Sequence, residues 1–174
     1  MTEINRDPDV LRFLNNQPGL ATWYERVLAH WEQHGFGFFA VEGREADLRG
    51  ELIGFVGIAY PAFLPELAAR PELGWRLASR AWGRGLATEA ARAVRAGAFA
   101  DLDLPELISI IHPQNLRSQR VATKLGMTIE RQVENPNLGQ LVDLWQLDAP
   151  RARASDQPDS SGASVNPAAF SALQ

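Results

Sequence analysis

Apolar positions recur with two different periods along this chain, and each change of period marks a new element. "DPDVLRFLNN" opens on an Asp suited to cap a helix and sets Val10, Leu11 and Leu14 on one face, ahead of Pro18-Gly19. In "LATWYERVLAHWEQHG" the helical period runs through Leu20, Trp23, Tyr24, Val27, Leu28 and Trp31 until Gly35 stops it. The runs "FGFFAVE" and "ELIGFVGIAY" are aromatic and β-branched, which predicts two strands connected through residues 42–50. "FLPELAARP" is bounded by proline and reads as a loop or short helix. "ELGWRLA" alternates Leu73, Trp75 and Leu77 against Gly74 and Arg76, as a strand does. After Gly85 the period lengthens again: Leu86, Ala90, Val94 and Gly97 form a stripe, with Glu89, Arg92 and Arg95 turned away. "LISIIH" is a nearly all-apolar strand, which implies burial on both faces. "NLRSQRVATKLG" is a short helix closed by Gly126, and "MTIERQVE" pairs with "GQLVDLWQLD" around "NPNLG". Hairpin-paired strands around a strand–helix–strand unit predict an α/β (α+β) fold on a mixed, mostly antiparallel sheet.

Past Asp148 the periods vanish. "APRARASDQPDSSGASVNPAAFSALQ" holds 16 Ala, Ser, Pro or Gly among 26 residues, too few large apolar groups to offset the entropy of ordering. The expectation is one domain over residues 1–148 and a disordered tail over 149–174. A net charge of −4 without any Lys/Arg block excludes a nucleic-acid binder held by phosphate attraction. The absence of cysteine excludes disulfides, thiolate–zinc sites and a cysteine nucleophile. No apolar run approaches the ~20 residues of a membrane span, and "MTEINRDPDV" lacks a signal-peptide core, so the expected location is cytoplasmic.

The chemistry concentrates in "WGRGLATEAA". Gly83 and Gly85 stand between a strand and a helix, where unpaired backbone N–H groups and the helix dipole present about half a positive charge to an anion. Arg84 offers a cation at the rim. A Walker loop is excluded, because no lysine follows Gly85. The dinucleotide fingerprint fits only with Thr88 in its last glycine position, and Asp101 and Asp103 precede the next strand instead of ending it. A glycine turn that merely clears the sheet is the other alternative.

"ELGWRLASRAWGRGLATEAARAV" followed by "IHPQNLRSQRVATKLGM" resembles the acetyl-CoA-binding half of the GNAT N-acetyltransferases, most closely their RimJ/RimL-like branch. The family pattern Q/R-x-x-G-x-G/A is matched at Trp82-Gly83-Arg84-Gly85-Leu86-Ala87, reading Trp82 into the Gln/Arg position. Asn115, Ser118, Leu125, Gly126 and Met127 match its second element. The resemblance spans Asn5 to about Asp148 and implies a twisted sheet with helices on both faces. Family members begin with a strand and a short helix before the "N-x-D-P-x-V" segment, whereas four residues precede it here. The expectation is therefore that the first edge strand is missing, through a late start codon or a real truncation. That would leave "FGFFAVE" an unpaired edge open to pairing in a homodimer.

The resemblance implies transfer of an acetyl group from acetyl-CoA, without a metal, to a primary amine on a small molecule or a protein N-terminus. It places coenzyme A on the amides of residues 83–88, Trp82 to Thr88 forming its cradle, with Asn115 and Ser118 beside it. Main-chain groups around Leu77, Ala78 and Ser79 meet the arm and the acetyl group. Glu72 is the candidate general base, with a solvated strand-end carboxylate as its alternative. A tyrosine acid seven residues after Asn115 is absent, since Ala122 stands there; Ser118 is the candidate acid, or a cofactor contact only. Neutralising an α-amine at pH 7 costs about 1 kcal/mol and a lysine amine about 4.6 kcal/mol, which favours α-amines for a weak base. Succinyl-CoA as donor and a non-catalytic acyl-CoA-binding protein are the rival readings.

His30 and His34 have zinc-compatible spacing, but with neither a H-E-x-x-H glutamate nor cysteine they read as a solvated helix face. His112 reads as a sheet-end residue near the site, and Trp23, Tyr24 and Trp31 as core.

Overall fold

The computed structural model describes residues 4–14, 20–136 and 139–150. Six strands form one sheet in the order β1-β2-β3-β4-β6-β5: β1 (Phe38–Glu42), β2 (Leu52–Ala59), β3 (Glu72–Leu77), β4 (Glu106–Ile111), β5 (Thr128–Asn135) and β6 (Gln140–Asp148). Every neighbouring pair is antiparallel except β3 and β4, which are joined by the crossover helix α3 (Leu86–Ala100). Helices α1 (Pro8–Leu11) and α2 (Leu20–His34) precede the sheet, and α4 (Leu116–Leu125) follows β4.

Alanine explains how α3 lies so close to the sheet. Ala91 and Ala98 are fully enclosed and meet Val56, Ile58, Leu73 and Leu107, with Ala122 and Leu125 of α4 completing that layer. On the opposite face Leu64 and Leu67 cover Ile108, Val133, Val142 and Leu144. β4 therefore has no solvent face, as its all-apolar run predicts: Leu107 and Ile108 are both 0 % exposed.

Three expectations change on inspection. α1 ends at Leu11, one turn after its Asp7 cap. In α2, Tyr24 and Leu28 are solvent-exposed, and the inward face is made by Trp23, Val27, His30 and Trp31. The β1 edge carries no further strand among the described residues, yet it is not bare. The ladder phase turns the Phe38 carbonyl outward, and the Trp31 indole N–H donates to it at 3.2 Å. At the other terminus Ala149 N–H still donates to Pro105 C=O at 2.9 Å. The expected tail lies outside the described residues from 151 onward.

Candidate active site

β3 and β4 pair at Glu72↔Ile108 and then part. Ladder phase decides which main-chain groups face the opening. Ala78 N–H donates to Ile53 C=O at 2.8 Å, so the even-numbered residues of β3 bond to β2, and Trp75 and Leu77 turn their N–H and C=O groups towards β4. The Ala149–Pro105 bond fixes β4 in the same way and turns the Ile108 and Ile110 amides towards β3. Ile108 N–H reaches Pro71 C=O at 2.9 Å, and the buried Ser109 hydroxyl donates to Leu73 C=O at 2.7 Å. These two bonds close the vertex. Beyond them a cleft of about 1440 Å³ opens, lined by residues 74–77 on one strand and 109–112 on the other.

One wall is a backbone cradle. After β3 comes a 3-10 turn (Ser79–Ala81), and Trp82 returns to extended geometry with φ −75° and ψ 159°. Gly83 and Gly85 then take φ of 79° and 84°, the left-handed region that glycine enters without penalty. A Cβ on either would meet nothing within 4 Å, so the glycines serve the chain's turn and leave its outer surface open. The first bond of α3 is Glu89 N–H to Gly85 C=O at 3.0 Å. The amides ahead of it have no intrahelical acceptor, and the positive end of the dipole sits there. Gly83, Gly85, Leu86, Ala87 and the buried Thr88 all line the cleft. The Trp82 indole N–H donates to Leu77 C=O at 2.9 Å, which braces the turn from inside.

Three of the expected residues point elsewhere. Arg84 does not stand at the rim: its guanidinium bonds Glu45 at 2.6 Å and takes Asp47 in a fork, both on the β1–β2 connection. Ala78 is buried and spends its amide on Ile53. Ser79 gives both its hydroxyl and its amide to the Asp7 carboxylate. Counting back from Gly83, the Gln/Arg position of the family pattern falls on Arg80 and not on Trp82; Arg80 pairs with Glu51 at 2.7 Å.

α4 supplies the opposite rim. The Asn115 side chain caps the helix by accepting Ser118 N–H at 3.2 Å, and this holds the half-buried Ser118 in the cleft lining. Ala122 is fully buried and contributes only packing. Arg117, Arg120 and Lys124, absent from the motif reading, line the cleft from the same helix. Their i, i+3, i+7 spacing places them on one face and is the signal that marks them. The Arg117 guanidinium lies 4.6 Å over the Trp82 ring.

The far side of the sheet presents side chains. Glu72 sits at the vertex, where Ile110 N–H donates to its carboxylate. Burial outweighs that bond and pushes its pKa up to about 7. Arg76, on the same face of β3, donates to Asn5 Oδ1 at 2.8 Å and lies 5.2 Å over the Phe55 ring, and burial lowers its pKa to about 10. Trp23 and Phe38 pack at 4.8 and 5.1 Å from Phe55, so Trp23 both packs and lines the cleft. His30 is not on a solvated face. Its Nδ1–H donates to Phe36 C=O at 2.8 Å while Nε2 accepts Tyr60 N–H at 3.2 Å, and burial holds its pKa low. Both nitrogens are engaged, which leaves none for a metal. His112 lines the cleft, its Nδ1 accepting Gln114 N–H at 3.0 Å and its ring 5.0 Å from Phe13.

Comparison with known proteins meets this geometry. Residues 1–128 match the family model described as an acetyltransferase (GNAT) domain. The Bacillus subtilis protein YkkB is 30% identical over 137 residues, covering 71% of this chain and 77% of its own length. The crystal structure of an acetyltransferase from Agrobacterium tumefaciens is similar with a TM-score of 0.68 at 30% identity, over 83% of this chain and 81% of that one. A Salmonella typhimurium protein, yncA, solved with its cofactor acetyl-CoA, shares the fold with a TM-score of 0.64 at 20% identity, over 89% and 90% of the two chains.

Proposed function

The chain belongs to the GNAT acetyltransferase family, and from that premise we propose that it moves an acetyl group from acetyl-CoA to a primary amine by direct attack on the thioester. The observation that carries the reading is the open N-terminus of α3, with two left-handed glycines, beside a strand pair that parts at Glu72. In this reading the amides of residues 83–88 hold the diphosphate, and Arg117, Arg120 and Lys124 balance its charge. Trp82, Asn115 and Ser118 flank it. The arm lies between β3 and β4, where the amides of Trp75 and Leu77 are its natural donors. Ala78 and Ser79 act through the position of their turn, since their amides are spent.

Acetyl-CoA supplies an acyl carbon already activated for attack. As the C–N bond forms and the C–S bond breaks, Glu72 takes the proton from the amine, and the Ser118 hydroxyl passes a proton to the departing sulfur and is re-protonated from solvent. Glu72 returns its proton to solvent, so that one proton in all moves from nitrogen to the thiol. A carboxyl group titrating at about 7 is a far stronger base than one at its ordinary 4.5, and it is half ionised at neutral pH. That strength suits an α-amine better than a lysine amine. The acceptor wall carries the guanidinium groups of Arg26 and Arg76 against the carboxylates of Asp9 and Glu72, so it offers no excess of acid to a polycation. The acceptor is therefore a protein N-terminus or a small amine with a modest charge. The same reading takes the chain as a cytoplasmic, RimJ/RimL-like enzyme and allows a homodimer through the β1 edge only if Trp31 moves aside.

The deciding experiment follows thiol release from acetyl-CoA across a panel of amines and N-terminal peptides, with succinyl-CoA as the competing donor. Turnover with α-amines supports the reading. Coenzyme A binding without turnover across the panel would establish the non-catalytic alternative that the missing tyrosine at Ala122 permits. Faster reaction with succinyl-CoA would change the donor.

A further inference from the structure

The segment "INRDPDV", which precedes every strand, is tied to the cleft at two points. Asn5 Oδ1 accepts a bond from Arg76 at 2.8 Å on the acceptor wall. Asp7 does more, because its two oxygens face different parts of the protein. One accepts Asp9 N–H at 2.9 Å and caps α1, whose residues Asp9 and Val10 line the cleft on the acceptor side. The other accepts the Ser79 hydroxyl, and the Ser79 amide donates to the same carboxylate. The Ser79 hydroxyl above all, with the N–H groups of Asp9, Val10 and Ser79, holds its pKa below the ordinary carboxylate range against a smaller opposing effect of burial. Ile4 and Val10 pack on Ala78 and Trp82 beneath the same junction. Ser79 opens the turn that leads through Trp82 into the glycines at 83 and 85.

We propose that Asp7 is a positioning residue that sets the coenzyme A cradle relative to the acceptor wall, by gripping the turn at Ser79 with one oxygen and the cap of α1 with the other. The proposal rests on the acetyltransferase reading given above. Asparagine separates the two tasks. Its single carbonyl oxygen is as good a helix cap as aspartate, but the NH2 group left for Ser79 only donates. The Ser79 hydroxyl must then turn to accept from it, the Ser79 N–H must compete for the capping oxygen, and the charge on the grip is lost. Asp7→Asn should therefore lower the thermal midpoint only slightly, and less than Asp7→Ala, which also loses the cap, while raising KM for acetyl-CoA about tenfold, the scale of one lost hydrogen bond to a charged group, with kcat changed less.

The test is steady-state kinetics and coenzyme A calorimetry on the full chain, with Asp7→Asn, Asp7→Ala, Ser79→Ala and the double variant Asp7→Asn/Ser79→Ala. The expected result is a raised KM in both Asp7 variants, and a double variant no worse than the poorer single one, because Asp7 acts through Ser79. An unchanged KM in Asp7→Asn overturns the proposal. So does a loss that is additive with that of Ser79→Ala, or one that tracks only the fraction of folded protein. Failure of the parent protein to bind coenzyme A at all is a different outcome: it overturns the acetyltransferase reading, and this proposal with it.

Discussion

On the α3 side of β3 the cleft is walled by the turn that opens α3, where two glycines of positive φ precede the free N-terminus of the helix. On the other side it is walled by side chains drawn from α1 and the residues just after it, α2, β1 and β2, among them Phe13, Trp23, Phe38 and Phe55. The first wall depends on conformation and tolerates almost any side chain that points away. The second depends on the chemistry of each residue and on tertiary contacts that bring distant segments together. A wall of backbone suits a donor whose diphosphate is always the same, and a wall of side chains suits an acceptor whose identity must be selected.

The sharpest way to break this contrast is to close the backbone wall. Gly85→Glu places bulk and negative charge where φ is 84° and where a Cβ meets only open space. Coenzyme A affinity should fall about 100-fold or more through like-charge contact. The fold should survive, because the left-handed conformation costs a non-glycine residue about 1–2 kcal/mol. Gly85→Ala serves as the control, since it carries the same strain without the charge. Calorimetric affinity equal to that of the parent in Gly85→Glu would show that the anion sits elsewhere.

Next in size comes the one carboxyl group at the vertex. Glu72→Gln should reduce kcat about 100-fold while leaving coenzyme A affinity within twofold, since general-base assistance is of that order. The parent's kcat/KM should rise with pH through a limb centred near 7, where Glu72 gives up its proton, and the variant should lose that limb. Stability moves the opposite way. The folded pKa of about 7 exceeds the ordinary 4.5, so the protonated group favours the fold. That contribution is complete below pH 4.5 and is lost as pH rises through about 7, on the order of 3 kcal/mol in all. Glu72→Gln should therefore match the parent's thermal midpoint at pH 4.5 and exceed it at pH 8. A midpoint difference that does not change with pH would mean the carboxyl group is solvated and ordinary.

The same contrast explains what was legible in the sequence. Glycines at 83 and 85, the capping Asn115 and the terminating Gly126 are local signals, because each reports a backbone conformation set within a few residues. The strands, the hairpin pairs β1–β2 and β5–β6, and the burial of β4 on both faces followed from period and turn chemistry, whereas the β2–β3 and β4–β6 pairings join segments with no shared local signal. What was not legible depends on contacts between segments far apart. His30 stands at a spacing that reads as surface or metal ligand, and only the approach of Phe36 and Tyr60 makes it a neutral brace. Tyr24 and Leu28 keep the helical period yet lie outside the buried stripe, because the sheet covers only part of α2. Asp7 reads correctly as a cap, and nothing in its neighbourhood announces Ser79, 72 positions along the chain.

Charge around the diphosphate gives the smallest effects and the finest test of the two walls. Arg84 and Arg117 are both arginines beside the cradle, but they differ in what holds them. Arg84 is spent on Glu45 and Asp47, so that cluster carries a net negative charge and its guanidinium is directed away from the cleft. Arg117 has an aromatic face under it and the cleft in front. Arg117→Ala should weaken coenzyme A binding about fivefold and flatten its salt dependence, as expected for a partly screened cation near a phosphate. Arg84→Ala should cost about twofold at most, because it removes a cation already balanced and leaves its amide in place. Equal losses from the two substitutions, measured at low ionic strength, would mean that the Arg84 side chain swings to the anion when ligand binds, and that the wall described as main chain is partly built from a side chain after all.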